Sequence, residues 1–201
     1  TVANLIMRFY DINKGEILFA GKDIRSLNQD DLHSKIAFVP QKALLFSGSV
    51  RENLLYGDEN ATDEDLRKAL EISQSAEFVD KLPAGMDSMI SQSGTNLSGG
   101  QKQRLCIARA LVRKADVYIF DDTFSALDFR TDAALRKAIK ENIDATVLIV
   151  AQRVGTIMDA DRIVVLDEGR IVGMGKHAEL MESCEVYREI YNSQMTEEVT
   201  A

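Results

Sequence analysis

The period of apolar and polar positions changes along the 201-residue chain. Val2 to Tyr10 is an apolar run at helical spacing, and Asn13-Lys14-Gly15 then marks a turn. Glu16 to Ala20 reads as a short strand closed by Gly21-Lys22. A polar helix is expected around Asp30 to Ser34, and Ile36 to Val39 reads as a strand that stops at Pro40-Gln41. From Val50 to about Arg113 the helical period dominates. There Thr62-x-x-Asp65 forms a capping-box variant ahead of Leu66, Ala69, Leu70 and Ile72, and the breaks fall at Pro83-Ala84-Gly85 and Ser91 to Asn96. Beyond it come the apolar runs Val117 to Phe120, Thr146 to Ala151, Arg162 to Leu166 and Arg170 to Val172, with a helix over Thr131 to Glu141 and a turn at Glu168-Gly169. Short apolar runs without alternation are what strands of a parallel sheet look like when both faces are covered. The pattern predicts an α/β body, residues 1–49 and 114–201, with a mainly helical lobe, residues 50–113, inserted into it.

Composition narrows the function. Hydrophobic residues make up 45% and charged residues 28%, as in an ordinary globular protein. Lys and Arg number 24 against 32 Asp and Glu, a formal charge of −8. Such a surface repels nucleic acid and anionic lipid unless its basic residues gather in one patch, so no nucleic-acid partner is expected. Cys106 and Cys184 lie in no CxxC or Cys/His cluster and read as free thiols, and His33 and His177 have no ligand-like spacing. The longest apolar runs are far shorter than the roughly 20 residues that cross a bilayer. The chain opens at Thr1, without Met or a signal-peptide pattern, and reads as a truncated beginning.

The strongest local chemistry is Leu97-Ser98-Gly99-Gly100-Gln101 followed by a helix over Lys102 to Arg113. Ser98 can cap that helix, and two glycines let a ligand approach the backbone closely. Backbone N–H groups and the macrodipole at a helix N-terminus attract anions. A Gly-rich turn before a core helix would look the same in isolation. Downstream, Val117-Tyr118-Ile119-Phe120 ends in Asp121-Asp122. Acids at the carboxyl end of a strand face the ligand crevice of an open α/β sheet, and Asp121 there could hold Mg²⁺ together with phosphate oxygens.

Together these residues resemble the nucleotide-binding domain of ABC transporters, through essentially the whole chain. LSGGQKQRLCIARAL resembles the signature motif and its helix, and VYIFDD the Walker B strand. Ser125-Ala126-Leu127-Asp128 is similar to the D-loop that meets the opposing domain. Gln41, in FVPQKALLFSGSVRENLLYG, matches the Q-loop glutamine that senses Mg²⁺ and nucleotide near the contact with the membrane domains. That stretch, with Pro83-Ala84-Gly85-Met86-Asp87 and Gly169-Arg170-Ile171-Val172, resembles exporters more than importers. The resemblance implies a P-loop NTPase (RecA-like) α/β core with a mainly parallel sheet and an inserted α-helical signature subdomain, its N-terminal β-subdomain and P-loop partly missing. It further implies ATP and Mg²⁺ as cofactors, transmembrane domains and a second nucleotide-binding domain as partners, and a place on the cytoplasmic face of the cell membrane.

Three departures from the family pattern matter. No G-x-x-x-x-G-K-[ST] phosphate loop is present; Gly21-Lys22 and Gly175-Lys176 are followed by Asp23 and His177. Since that loop and its lysine cradle the phosphates, the chain alone is expected to bind ATP weakly or not at all. Asp122 stands where hydrolytic members carry glutamate, and Gln152 replaces the switch histidine; Gln92 also stands where many exporters have a glutamate. Aspartate is one methylene shorter than glutamate, and glutamine takes up no proton near neutral pH.

This pattern resembles the degenerate half of a heterodimeric exporter, in which each nucleotide lies between one domain's phosphate loop and the other's signature motif. Ser98, Gly99, Gly100 and Gln101 would then complete the site of a different, catalytically complete subunit, while Asp121, Asp122, Gln41 and Gln152 belong to an impaired site of this chain's own. Two other readings stand beside it: a soluble ABC ATPase acting on DNA or ribosomes, and a non-catalytic truncated interaction fragment. Lys102, Arg104, Arg109 and Arg113 read as solvated or as paired around the nucleotide site. Tyr187 and Tyr191 are expected to dock the C-terminal helix.

Overall fold

The computed structural model describes residues 2–91 and 94–200, the side chains of 196–200 excepted. The chain divides into two compact units, residues 1–150 and 151–201.

The first unit opens with helix α1 (Val2–Ile6) and the hairpin β1 (Leu18–Phe19) and β2 (Lys22–Asp23). α1 is shorter than the apolar run predicts. Arg8 takes a left-handed φ of 51° just after it, and its guanidinium donates to the Ile24 and Leu27 carbonyls. Helix α2 (Gln29–Lys35), capped by Asn28, leads into β3 (Ile36–Val39). The strands β4 (Gly48–Ser49) and β5 (Met89–Ile90) pair antiparallel at the base of a helical stretch made of α3 (Val50–Leu55), α4 (Asp63–Ile72), α5 (Ala76–Asp80) and α6 (Gly99–Val112). Reciprocal capping boxes start three of these helices: Ser49 with Glu52, Thr62 with Asp65, and Ser98 with Gln101. Gly57 lets the end of α3 touch α6, since a Cβ there would lie 2.2 Å from the Arg109 carbonyl oxygen.

The chain then returns as β6 (Val117–Asp121), α7 (Phe129–Asn142) and β7 (Thr146–Val150). β3, β6 and β7 form a parallel sheet in that order. β6 runs between two cores. Tyr118 and Phe120 pack with the helices α3 to α7, and Ile119 packs with Ala3, Met7, Ile24, Leu32 and Ile36. That two-sided burial is why β6 reads as a continuous apolar run. β7 departs from the expected covered strand. Among the described residues it pairs with β6 alone, and Val147 and Val150 are exposed.

The second unit contains α8 (Val154–Ile157), the strands β8 (Ile163–Asp167) and β9 (Arg170–Gly175), α9 (His177–Ser183) and α10 (Glu185–Thr200). β8 is not a further parallel strand. It pairs antiparallel with β9, and the two-residue turn Glu168-Gly169, with φ of 45° and 77°, has the left-handed geometry that matches strand twist in a tight hairpin. The core side of the hairpin packs Ile163 and Val165 on Leu180, Cys184 and Tyr187. Tyr187 is buried against His177, as expected for a docked C-terminal helix.

Candidate nucleotide site

Parallel pairing of β3 with β6 sets their carboxyl ends side by side, Val39 opposite Phe120. The residues that follow each strand therefore meet. Gln41 Nε2 donates to Asp122 Oδ2 at 2.8 Å, joining positions 81 residues apart. Asp122 is 9% exposed and has a left-handed φ of 47°, a conformation that non-glycine residues adopt at a cost. Its surroundings hold it there: its N–H donates to the Val150 carbonyl at 2.8 Å, and Ser125 Oγ donates to its own carbonyl at 2.8 Å. Asp121, the last residue of β6, is half-buried beside it. Asp121 and Gln41 each carry a hard oxygen, the donor type Mg²⁺ takes. Among the described residues no group of three or more His, Cys, Asp or Glu forms a metal cage. A set this sparse suits Mg²⁺, which completes its shell with phosphate oxygens and water.

The signature residues are placed differently. Ser98 caps α6: its hydroxyl accepts from the Gln101 N–H at 3.2 Å, and Gln101 Oε1 accepts from the Ser98 N–H at 2.9 Å. Ser98 and Gly99 are exposed, Gly100 and Gln101 half-buried. Gly99 has no positive φ, and among the described residues no atom beyond its chain neighbours and its own helix's backbone comes within 4 Å of a Cβ built on it. None of these contacts calls for glycine there. A Cβ on Gly100 would meet only ordinary contacts, the Ala126 carbonyl oxygen at 3.5 Å and Leu127 at 3.7 Å, so the pentapeptide lies against the Ser125–Asp128 turn. Asp128 caps α7, accepting from the Thr131 N–H at 2.9 Å and from its hydroxyl at 2.7 Å. Those bonds hold its carboxyl below the usual carboxylate range.

The structure thus brings together Gln41 and Asp122, with Asp121 next to Asp122 at the end of β6, and separately Ser98 to Gln101 with the Asp128 turn. Gln152 belongs to the second unit, where its carbonyl accepts from Gln194 Nε2 at 2.7 Å. Gln92 lies outside the described residues. The basic positions of α6 do not form a solvated stripe. Arg104 donates to the Gln74 carbonyl and lies over the Phe78 ring, burial pulling its guanidinium pKa down. Arg109 donates to the Leu44 carbonyl at 2.9 Å and lies over the Phe46 ring. Burial pushes the Cys106 thiol up, and both cysteines are free and buried. Sequence reasoning assigns no role to Thr123 or Gln103, both buried; their only signals are adjacency to Asp122 and to the signature motif.

Comparison with known proteins follows the same lines. The family described as ABC transporter matches residues 1–125. The chain is 41% identical over 198 residues to the uncharacterized ABC transporter ATP-binding protein YfiB of Bacillus subtilis, covering 98% of this chain and 34% of that protein. It is 40% identical to an ATP-dependent lipid A-core flippase of Vibrio vulnificus, again over 98% and 34%. A bacterial Atm1-family ABC exporter solved with ATP bound superposes with a TM-score of 0.93 at 36% identity, over 96% of this chain and 34% of that one. The chain spans about a third of the length of these relatives. With the profile covering more than half of its residues and the fold matching an exporter's P-loop NTPase domain, the chain belongs to the ABC transporter family as an ATP-binding domain.

Proposed function

We propose that this chain works as the ATP-binding, ATP-hydrolysing module of an ABC exporter, and that its signature motif serves ATP held by a second, catalytically complete nucleotide-binding domain. The observation that carries the reading is Gly99. Glycine where alanine could take the same backbone conformation costs stability through the unfolded chain, and neither backbone conformation nor packing among the described residues asks for it here. A bare backbone on an exposed helix N-terminus leaves room for an anion approaching from outside. Asp128 and the exposed Ser125–Ala126 turn beside it extend the same face toward the opposing domain.

In the chain's own site, Asp121 and the Gln41 oxygen would hold Mg²⁺, which when bound neutralises charge on the phosphate oxygens. Asp122 stands in the position of the base but is one methylene short, and its carboxylate already accepts from Gln41. A displacement of about 1 Å costs on the order of 100-fold in rate. Gln152, in the second unit, carries no titratable ring. Residues 50–113 form the helical subdomain of the proposal, residues 1–49 and 114–201 the RecA-like core. With no phosphate-loop motif among the 201 residues, they bind ATP weakly by themselves.

The membrane partner has a surface to meet. Leu44, Phe46, Tyr56 and Met89 are all more than half or about half exposed around the loop that begins with Gln41, and the Phe46 and Tyr56 rings meet at a tilt, their centroids 4.6 Å apart. We assign this patch to the transmembrane domains, which places the chain on the cytoplasmic face of a membrane. Among the described residues no helix is long and apolar enough to cross one.

The test is Ser98→Arg in the full-length protein paired with its partner. The arginine fills the exposed approach to the α6 N-terminus, and ATPase activity and transport are expected to fall by at least 100-fold. Retained activity would overturn the reading.

A further inference from the structure

The loop that starts at Pro40 is gripped from two sides. From the β6 side, Thr123, fully buried, donates its hydroxyl to the Val39 carbonyl at 3.0 Å. From the α6 side, three residues spaced every three positions, and so on one side of the helix, reach the same segment. Gln103 Nε2 donates to the Pro40 carbonyl at 3.4 Å, Cys106 Sγ donates to the Leu44 carbonyl at 3.4 Å, and Arg109 donates to that carbonyl at 2.9 Å while covering the Phe46 ring. Two consecutive carbonyls, those of Val39 and Pro40, are thus held just before Gln41, and the far end of the loop is held at Leu44.

We propose that Thr123 and Arg109, assisted by Gln103 and Cys106, are positioning residues for Gln41: they fix the loop so that the Gln41 amide reaches Asp122. The loop then rides on α6 as much as on the sheet. α6 carries the signature motif at its start and the grip along its length, so a ligand that displaces α6 as a body also changes the reach of Gln41. This consequence rests on the proposed role of the signature motif; the positioning itself does not, because it is read from side-chain geometry inside one chain.

The two are tested apart. The chain labelled with ¹⁵N-glutamine reports the Gln41 side-chain amide directly, with Gln41→Glu assigning the signal and Asp122→Ala giving its released position. In the wild type the Gln41 amide is expected to exchange with water about tenfold more slowly than the glutamine amides of the chain unfolded in urea. Thr123→Val removes only the hydroxyl and Arg109→Met only the donor and charge; each is expected to move the signal to the released position, and Thr123→Ser to restore it. The Gln74 amide, which donates to the Glu71 carbonyl at 3.2 Å in the same unit, serves as the control for an intact fold. Should Arg109→Met unfold the chain, Gln103→Met and the Thr123 pair carry the test. An unmoved Gln41 signal in folded Thr123→Val, or failure of Thr123→Ser to restore it, overturns the proposal, whatever the ATPase of the full assembly does.

Discussion

The two clusters of chemistry in this chain differ in where their polar groups are satisfied. Around Gln41 and Asp122 the partners are internal: side chain meets side chain across the ends of two parallel strands, and the strained Asp122 backbone is pinned by the Val150 carbonyl and the Ser125 hydroxyl. Around Ser98 and Gly99 the cap is internal but the surface is open, and a glycine sits where the chain itself has no use for one. A site built for the chain's own ligand shows as mutual pairing and strain. On the proposed function, a site serving another molecule's ligand shows as a residue choice that the parent fold leaves unexplained.

The largest effect that could break this comparison comes from repairing the internal cluster. Asp122→Glu in the full-length pair adds the methylene, and turnover at this chain's own site is expected to rise by about 100-fold, read from single-turnover hydrolysis with the partner's site disabled. An unchanged rate would mean that geometry at Asp122 is not the limiting defect. The αL backbone would then be the feature to examine.

The exposed cluster gives a smaller and sharper effect, because stability and function are expected to move in opposite directions. Gly99→Ala meets open space and a helical φ, so it should stabilise the chain by about 0.4–1 kcal/mol through the unfolded state. The same methyl group narrows the approach to the helix N-terminus, and the partner site's turnover should fall by about tenfold. Thermal melting and ATPase of the full-length pair check both halves. Loss of stability, or stabilisation with undiminished ATPase, would remove the reason for calling the glycine functional.

Much of this division was legible in the sequence where the signal is local. Ser98 as a cap, the Thr62–Asp65 box and β6 as a covered strand follow from neighbours a few residues apart, and the structure keeps all three. Pairings between distant segments were not legible. Nothing near Gln41 or Asp122 announces that they meet, since the contact depends on the register of β3 against β6. Arg109 read as solvated or as paired around the nucleotide site because its partner, the Leu44 carbonyl, is a backbone atom 65 residues away. The antiparallel turn of β8 into β9 was half legible: Glu168-Gly169 marks a turn, but the apolar content of Ile171 and Val172 suggested burial that the outward face of the hairpin does not have.

The smallest expected effect concerns Asp128, at the edge of the exposed cluster. Its carboxyl is held below the usual value by the Thr131 N–H and hydroxyl, so the folded state takes up a proton less readily than the unfolded chain, whose aspartates titrate near about 3.9. The charged cap therefore contributes stability above that pH, and the contribution is lost as pH falls through the folded value. Asp128→Asn keeps a capping oxygen but not the charge. The melting temperatures of wild type and variant should differ by a small, constant amount above pH 5 and converge below pH 4. A gap that persists unchanged into acid would show that the cap works through shape alone, and that this edge of the face carries no charge the fold depends on.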